Sequence, residues 1–271
     1  MAGTVGARGV DLDELASLAV SVAAEAGRVL LHERPTDLGV GTKSTPTDVV
    51  TVMDLRAERL LVERIGAARP GDGFLGEEGS DTAGSSGVRW VLDPVDGTVN
   101  YLYGLPGWAV SVAAEVDGVV QVGVVEVPTY GETFVAVRGR GATCNGVPVH
   151  ASGCTELAQA LVATGFGYDA ARRAAQAQVV AQVLPLVRDI RRYGAASVDL
   201  CAVACGRVDG YFERGLKPWD LAAGGLVATE AGAVVGGLHG APASQDLVLA
   251  AGPGLFGALH AVLAPLRPDR D

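Results

Sequence analysis

Two long apolar segments in the middle of the chain constrain the fold more than any other feature. The first, GWAVSVAAEV, covers residues 107–116, and the second, VVQVGVVEV, covers residues 119–127. They are joined by Asp117 and Gly118, a pair typical of the tight two-residue turn that connects antiparallel strands. The sequence therefore predicts a β-hairpin, and the fold must contain a sheet built around it.

The elements on either side of this hairpin follow two different orders. Upstream, Asp11 and Glu14 form a capping box for a helix that runs to about His32, a mobile loop covers Pro35 to Thr47, and a second helix covers Val49 to Ala67. Strands are predicted at GFLG, VRWVL and ETFVAV, and the turns RGRGA and NGVP complete a meander.

From about residue 155, predicted strands and helices alternate. The strands are ALVATG, IRRYG, DGYFER and DLVLAAG, and the helices cover residues 170–184, 196–205, 219–231 and 254–264. This change of order predicts two lobes packed as one unit, an α+β lobe over residues 1–154 and an α/β lobe over residues 155–271.

The composition excludes several classes of protein. With 49% hydrophobic and 19% charged residues, the chain is typical of a globular protein. No apolar run approaches the ~20 residues of a membrane span, and the N-terminus lacks the apolar core of a signal peptide, so we expect a cytoplasmic protein. A net charge of -10 makes nucleic acid a poor partner. The four cysteines are too few for a disulfide framework.

The stretch WVLDPVDGTVN places two acids one tight turn apart. VRWVL is predicted as a buried strand, so Asp93 lies at its carboxyl end, where open α/β sheets place their ligand sites. Pro94 lacks an N–H and fixes its own φ, so the chain is expected to leave the sheet there. This would expose the carbonyl of Val95 and turn Asp96 back toward Asp93.

Gly97 and Thr98 follow and open a predicted short helical turn, TVNYLY. Their N–H groups lie at its N-terminus, which is a natural seat for a phosphate. Two further acidic motifs lie at the ends of predicted strands: GEEGS contains Glu77 and Glu78, and KPWDLAAGG contains Asp220. Taken alone, DPVDGT most often forms a plain turn, GEEGS a solvated loop and WDLAAGG a capped helix. Their combination favours one shared pocket.

Four carboxylates in that pocket, those of Glu77, Asp93, Asp96 and Asp220, need a positive charge among them. Burying an unpaired charge costs several kcal/mol per ion. All-oxygen ligands, including a backbone carbonyl, suit Mg²⁺. Because Mg²⁺ beside a phosphate seat can activate water and stabilise a leaving oxygen, the motifs together predict a phosphate-ester hydrolase.

These motifs, with KSTPTDVVTVMD upstream, resemble those of the inositol monophosphatase family of magnesium-dependent, lithium-sensitive phosphatases. The motifs are GEEGS, WVLDPVDGTVNYLYGLP and WDLAAGGLVATEAGA, in the same order over roughly residues 12 to 262. The resemblance implies a layered α/β/α/β/α sandwich that is usually dimeric and cytoplasmic. It also implies a small phosphorylated polyol as substrate, with no nucleic-acid or membrane partner.

The resemblance implies two or three Mg²⁺ ions per site. Glu77, Asp93 and the Val95 carbonyl would hold the first, and Asp93, Asp96 and Asp220 would hold the second. Glu77 would also help to place a weaker third ion, and so acts in catalysis as well as in metal binding.

The resemblance also implies roles around the substrate. Thr98, paired with Asp54, would orient the attacking water, while the N–H groups of Gly97 and Thr98 hold the phosphate. Lys43, one of only two lysines with Lys217, falls in the mobile loop that the family folds over its metals. The further substrate contacts implied by the family are Asp96, Gly194, Ala195, Ala196, Glu213 and Asp220.

Two departures from the family pattern leave the substrate less certain than the chemistry. The family often has Thr where Val99 stands and His-Cys where Lys217 and Pro218 stand, and neither position is a metal ligand. The substrate that we expect is myo-inositol monophosphate. Fructose-1,6-bisphosphate, histidinol phosphate and a nucleotide 3′-phosphate stay open, although the chain has no long insertion for a nucleotide pocket.

Two readings from other classes compete with the metal-dependent enzyme. One is a regulatory scaffold in which phosphatase activity is secondary. The other is the C-x5-R spacing of cysteine phosphatases, which occurs in CAVACGR from Cys201 to Arg207. The surroundings of that motif are apolar and helical, so they predict a core helix followed by a turn.

Overall fold

The computed structural model describes residues 9–270. The helices are α1 (Leu12–His32), α2 (Val52–Ala68), α3 (Thr98–Tyr103), α4 (Ala170–Val183), α5 (Ala196–Ala204), α6 (Pro218–Glu230) and α7 (Pro253–Leu263). The strands of the first half are β1 (Gly41–Thr42), β2 (Val49–Val50), β3 (Gly73–Gly76), β4 (Asp81–Thr82), β5 (Val88–Asp96), β6 (Ala109–Val116), β7 (Val119–Val127), β8 (Glu132–Val137), β9 (Ala142–Cys144) and β10 (Val147–Pro148). Those of the second half are β11 (Leu161–Thr164), β12 (Asp189–Arg191), β13 (Gly210–Glu213), β14 (Val234–Gly236) and β15 (Val248–Ala251).

The predicted hairpin is confirmed and lies in the middle of the larger sheet. That sheet has the strand order β10-β9-β8-β7-β6-β5-β3-β4, with β6 and β7 antiparallel. Asp117 and Gly118 have φ angles of 52° and 78°, which is the left-handed backbone that a tight hairpin turn needs. The smaller sheet has the order β12-β11-β13-β15-β14.

Helices and sheets alternate in five layers, as the resemblance implies. Helices α1 and α2 pack on one face of the larger sheet, and α5 and α6 lie between the two sheets. Helices α4 and α7 cover the outer side of the smaller sheet. The middle layer is largely apolar because both of its faces are covered, and every residue of α5 is buried.

Helix α1 is the most apolar long helix in the described part of the chain. With 21 residues, it is long and apolar enough by length and composition to cross a membrane. The expectation that no such segment exists is therefore wrong on these criteria. Its stripe of Leu15, Ala19, Val22 and Ala26 is fully or almost fully buried and packs against the larger sheet, as in a core helix.

The segment before α2 differs from its prediction. Val49 and Val50 were expected to begin the helix, but they form β2 and pair with β1 inside the expected loop. The helix begins at Val52, because the Thr51 hydroxyl oxygen accepts a hydrogen bond from the Met53 N–H and the Asp54 carboxylate accepts one from the Thr51 N–H. A local capping box therefore places the helix start three residues later.

The start of α1 confirms one half of the predicted cap. Asp11 accepts the N–H groups of Asp13 and Glu14. Glu14 does not complete a capping box, since its carboxylate binds Arg69 instead.

Along the chain, β10 is the last strand of the larger sheet and β11 is the first strand of the smaller one. A lobe boundary at residues 154/155 stays a prediction.

Candidate active site

The first acidic motif forms a bulge in β5. The strand was expected to end at Asp93, but it continues to Asp96 with a register shift between these two residues. Three steps along β5 match two steps along β6, so one extra residue is accommodated around Pro94 and Val95. Asp93 Oδ1 accepts the N–H of Val95 at 3.0 Å, which fixes the bulge. The bulge therefore brings both aspartates to one side.

Three carboxylates converge at this bulge. Oxygen atoms of Asp93, Asp96 and Asp220 lie within 4.8 Å of one another. Burial, followed by repulsion from neighbouring carboxylates, raises the pKa of Asp93 and of Asp220 well above their usual range. Burial also raises the pKa of Asp96 to about 6. Such a cluster could hold a metal ion, because the charge of a cation offsets the repulsion among the carboxylates, which is one cause of the raised pKa values.

Asp96 is anchored by the start of α5. Its Oδ1 accepts the N–H of Ala196 at 3.2 Å, and its Oδ2 accepts the N–H and the hydroxyl of Ser197 at 2.7 and 2.5 Å. Ala196 was predicted only as a substrate contact, and Ser197 was not among the predicted site residues. The available signal was a serine in the first turn of a predicted helix, where serine side chains often form hydrogen bonds near the helix terminus.

Asp220 lies in the first turn of α6. Pro218 opens this helix, and Asp220 Oδ2 accepts the N–H of Lys217 at 2.7 Å. The carboxylate is therefore held by the backbone that precedes its own helix. Lys217, where the family often has His, is exposed beside the same cavity.

Thr98 and Asp54 form a buried pair behind the cavity. The Thr98 hydroxyl lies 2.9 Å from Asp54 Oδ1 and 3.0 Å from the carbonyl oxygen of Val95. Asp54 is fully buried, and its Oδ2 accepts the N–H of Thr51 at 2.9 Å. Burial raises the pKa of Asp54 despite these hydrogen bonds. The helix cap that sets the start of α2 thus also fixes the partner of Thr98.

Gly97 packs directly against the Gly194–Ala195 segment of the second half of the chain. Its φ of 88° favours glycine, and a Cβ there would lie 3.0 Å from the Ala195 Cβ and 3.1 Å from the Gly194 carbonyl oxygen. Gly194 itself has a φ of 94°. A side chain at residue 97 would therefore push the Gly194–Ala195 backbone away from the acids.

Glu77 borders the three-carboxylate cluster rather than joining it. Its Oε1 lies 2.8 Å from Lys43 Nζ, which also lies 2.5 Å from Glu78 Oε1. Burial acts to lower the pKa of Lys43, but the two carboxylates outweigh it and raise that pKa. Burial raises the pKa of Glu78 to about 7. After burial, the charge of Glu77 contributes most to the raised pKa of Asp93, so the fourth acid lies close to the other three while it is also paired to a lysine.

Glu213 also lines the cavity, at the end of β13. Its Oε2 accepts the Tyr211 hydroxyl at 2.7 Å. Burial raises the pKa of Glu213 to about 7, and the bond from Tyr211 and the charge of Arg192 act in the opposite direction. A Cβ at Gly165 would lie 1.9 Å from Glu213 Oε2, so only glycine leaves room for this carboxylate.

One cavity of about 380 Å³ collects almost all of these groups. The predicted site residues that line it are Lys43, Glu77, Asp93, Val95, Asp96, Gly97, Thr98, Gly194, Ala195, Ala196, Glu213 and Asp220. Asp54 is behind Thr98 and does not line it. Arg172, Arg192 and Arg214 also face the cavity, and no local motif had pointed to them.

The cysteine motif is a core helix, as predicted. Cys201 is buried within α5, so its thiol has no access to the cavity, and burial raises its pKa well above the usual range. Arg207 binds Glu132 through both terminal nitrogens, one of them at 2.7 Å. This arrangement lacks the open loop that a cysteine phosphatase requires.

Comparisons with known proteins identify the family of the chain. The sequence matches the inositol monophosphatase family over residues 11–269. An inositol-1-monophosphatase of Mycobacterium leprae is 47% identical over 274 residues, which cover 93% of this chain and 94% of the relative. The Nus factor SuhB of Pasteurella multocida is 40% identical over 247 residues, or 89% and 92% of the two chains. The solved structure of Mycobacterium tuberculosis SuhB superimposes with a TM-score of 0.81 at 41% identity and covers 95% of this chain and 98% of that one. The chain is a phosphatase and belongs to the inositol monophosphatase family.

Proposed function

We propose that this phosphatase hydrolyses a small polyol monophosphate, with myo-inositol monophosphate as its substrate, and that it requires Mg²⁺. One observation carries the proposal. The acid cluster of Asp93, Asp96 and Asp220 shares a single cavity with Thr98 on one side and Glu213 on the other. The name of the Mycobacterium leprae relative, inositol-1-monophosphatase, supports the same substrate class.

The residues present fit Mg²⁺. Asp93, Asp96 and Asp220 would hold it, joined by Glu77 and the Val95 carbonyl where two or three ions bind. Their donor set consists of oxygen atoms only, which suits a hard divalent cation better than zinc or copper. When bound, Mg²⁺ lowers the pKa of water and stabilises charge on the leaving oxygen.

Thr98 orients the attacking water in this proposal. Its single hydroxyl proton is engaged by Asp54 or by the Val95 carbonyl, so toward the cavity the oxygen can only accept a hydrogen bond. A water molecule that donates a hydrogen bond to the Thr98 oxygen turns a lone pair toward the phosphorus of the substrate. The N–H groups of Gly97 and Thr98 would hold the phosphate beside it.

In this proposal, Glu213 and the backbone of Gly194–Ala196 select the alcohol part of the substrate. The Glu213 carboxylate can accept two hydroxyl protons, and the backbone of Gly194, Ala195 and Ala196 lies beside it. A volume of about 380 Å³ is near the lower end of the ~300–1,000 Å³ range of ligand pockets. This size favours inositol monophosphate over a nucleotide 3′-phosphate, while fructose-1,6-bisphosphate and histidinol phosphate remain the alternatives to test.

A panel of phosphate esters tests the proposal. The highest kcat/KM is expected for inositol 1-phosphate with Mg²⁺, and turnover should disappear in excess chelator. Li⁺ should inhibit at millimolar concentrations, as the family resemblance implies. Higher kcat/KM for fructose-1,6-bisphosphate, histidinol phosphate or a nucleotide would reassign the substrate. Full turnover in chelator would remove the metal from the proposal.

A second candidate function follows from the name of the Pasteurella relative, Nus factor SuhB, which suggests a regulatory role. Complementation of a strain that lacks this gene separates the two. If catalysis is the function, a variant with Asp220→Asn should fail to complement. If that variant complements fully, the regulatory role is favoured.

We also propose that the protein is a cytoplasmic homodimer. Light scattering on a sizing column would measure its mass.

A further inference from the structure

A buried acid that does not line the cavity holds the turn that carries Glu77. Glu58, on α2, is 4% exposed. Its Oε2 accepts the N–H of Glu78 at 2.7 Å, and its Oε1 accepts the N–H and the hydroxyl of Ser80 at 2.9 and 2.7 Å. Three donors from one short turn therefore converge on a single carboxylate.

The carboxylate lies directly against the backbone of this turn. A Cβ at Gly76 would lie 2.4 Å from Glu58 Oε2, so a side chain there would displace Glu58. The opposite side of the turn is tied to β5, since the N–H of Glu77 donates to the Leu92 carbonyl at 3.1 Å. Glu77 is thus clamped between the strand that carries Asp93 and the helix that carries Glu58.

The same face of α2 supports a second part of the site. Asp54 lies four residues before Glu58, and residues with this spacing share one helix face. Asp54 receives the Thr98 hydroxyl, while Glu58 receives the turn of Glu77. Both acids are buried among Ala57, Leu61 and Ile65. One rigid helix face therefore sets the spacing between Thr98 and Glu77.

We propose that Glu58 is a positioning residue for the phosphatase reaction: it aims Glu77 at the acid cluster and thereby sets the affinity for Mg²⁺. The inference rests on the proposed magnesium-dependent function. Glutamine cannot replace Glu58 in this role, because its NH₂ group would face a turn N–H or the Ser80 hydroxyl. One acceptor is then lost, and Glu77 gains freedom to move although the helix keeps its shape.

The test compares Glu58→Gln with the wild-type enzyme. Mn²⁺ serves as a paramagnetic substitute for Mg²⁺, and electron paramagnetic resonance measures its free concentration without any need for turnover. The Kd for Mn²⁺ and the half-saturating Mg²⁺ concentration should rise about 10-fold or more, on the scale of outer-sphere partners of metal ligands. The kcat at saturating Mg²⁺ should stay within about 3-fold of wild type, because every group that contacts the substrate is retained.

Asp72→Asn is the matched control. Asp72 is also a buried acid of this half of the chain, and it accepts bonds from Arg69, Ser86 and the Trp90 indole. It does not border the cavity. This variant should lower the Tm while its Kd for Mn²⁺ remains that of the wild type. An equal loss of Mn²⁺ affinity in both variants would show that Glu58 acts only through general stability.

Ser80→Ala keeps the test decisive if Glu58→Gln does not fold. It removes one of the three donors, so we expect Mn²⁺ binding about 2- to 3-fold weaker with little change in Tm. Wild-type affinity in Glu58→Gln, or in Ser80→Ala if the first variant is unfolded, overturns the inference. Failure of the wild-type enzyme to bind Mn²⁺ or Mg²⁺ would instead overturn the proposed function.

Discussion

The two walls of the cavity are built on different physical principles. The metal wall, consisting of Asp93, Asp96 and Asp220, holds buried carboxylates that repel one another. The alcohol wall, consisting of Gly194–Ala196 and Glu213, has one carboxylate, which already has the Tyr211 hydroxyl and the nearby charge of Arg192. On the proposed function, the metal wall therefore takes a cation from outside the chain, whereas the alcohol wall has partners of its own.

If the proposed function is correct, this difference separates the residues needed for the chemistry from those that choose the substrate. A defect in the metal wall removes a charge that every phosphate ester needs. A defect in the alcohol wall removes a hydrogen bond that only a hydroxylated substrate can form. The two kinds of defect should be distinguishable by comparing an inositol phosphate with p-nitrophenyl phosphate, whose alcohol part has no hydroxyl groups to bind.

The largest effect is expected from Asp220→Asn. Loss of a metal-ligand charge worth several kcal/mol should lower kcat about 10³-fold or more on both esters. Asp199→Asn is the control, because Asp199 is also an acid of raised pKa and is buried, but it does not border the cavity. Its kcat should remain near that of the wild type. A selective loss on the inositol ester in Asp220→Asn would contradict the division between the walls.

Thr98→Ala should have the next largest effect. Removal of the hydroxyl leaves the attacking water without an acceptor, and kcat should fall about 10²-fold on both esters. Thr98→Ser keeps the hydroxyl and should retain most of the activity. Wild-type turnover in the alanine variant would mean that Thr98 only supports the bulge at Val95.

Glu213→Gln should change the preference between the two esters. Loss of charged hydrogen bonds to hydroxyls, at ~1.5–3 kcal/mol each, should reduce kcat/KM for inositol 1-phosphate by about 10-fold or more. The value for p-nitrophenyl phosphate should change little. Parallel losses on the two substrates would place Glu213 with the metal wall or with the fold.

The smallest effect concerns the metal wall without its cation. Burial raises the pKa of Asp96 to about 6, against 3.8 for the ordinary group, so the folded state binds this proton more tightly than the unfolded state. Its contribution to stability is present below pH 3.8 and is lost as the pH rises through about 6. Asp93 and Asp220 shift in the same direction.

The Tm of the metal-free protein should therefore fall by a few °C, about 2–4 °C per kcal/mol, between pH 5 and pH 7.5. Saturating Mg²⁺ at pH 7.5 should restore it. Scanning calorimetry at both pH values, with and without Mg²⁺, measures both changes. A Tm that rises with pH in the absence of metal would show that the three carboxylates do not repel one another in solution.

Features that depend on neighbouring residues were predictable from the sequence. The hairpin turn at Asp117 and Gly118 and the short helix after Gly97 were predicted because their backbone requirements are local. The bulge in β5 was not predicted, since it depends on pairing with β6. Pro94 was predicted to end the strand, but the neighbouring strand continues to pair on both sides of it.

Contacts between distant parts of the chain explain the rest. Glu58 acts on residues 20 and 22 positions away, and Asp96 receives donors 100 and 101 positions away. A signal for Glu58 was nevertheless present. Asp54 and Glu58 share a helix face with Ala57, Leu61 and Ile65, and acids on a buried apolar face need partners elsewhere in the fold.

The bonds from Ala196 and Ser197 to Asp96 have a consequence for biosynthesis. Asp96 leaves the ribosome 100 residues before its first donor, a delay of ~5–20 s at ~5–20 residues per second. Throughout this interval the nascent chain carries the first acidic motifs without the helix that orders Asp96. The site can therefore begin to work only after the last third of the chain is being made, and a fragment that ends before Ala196 would leave the ribosome without a working site.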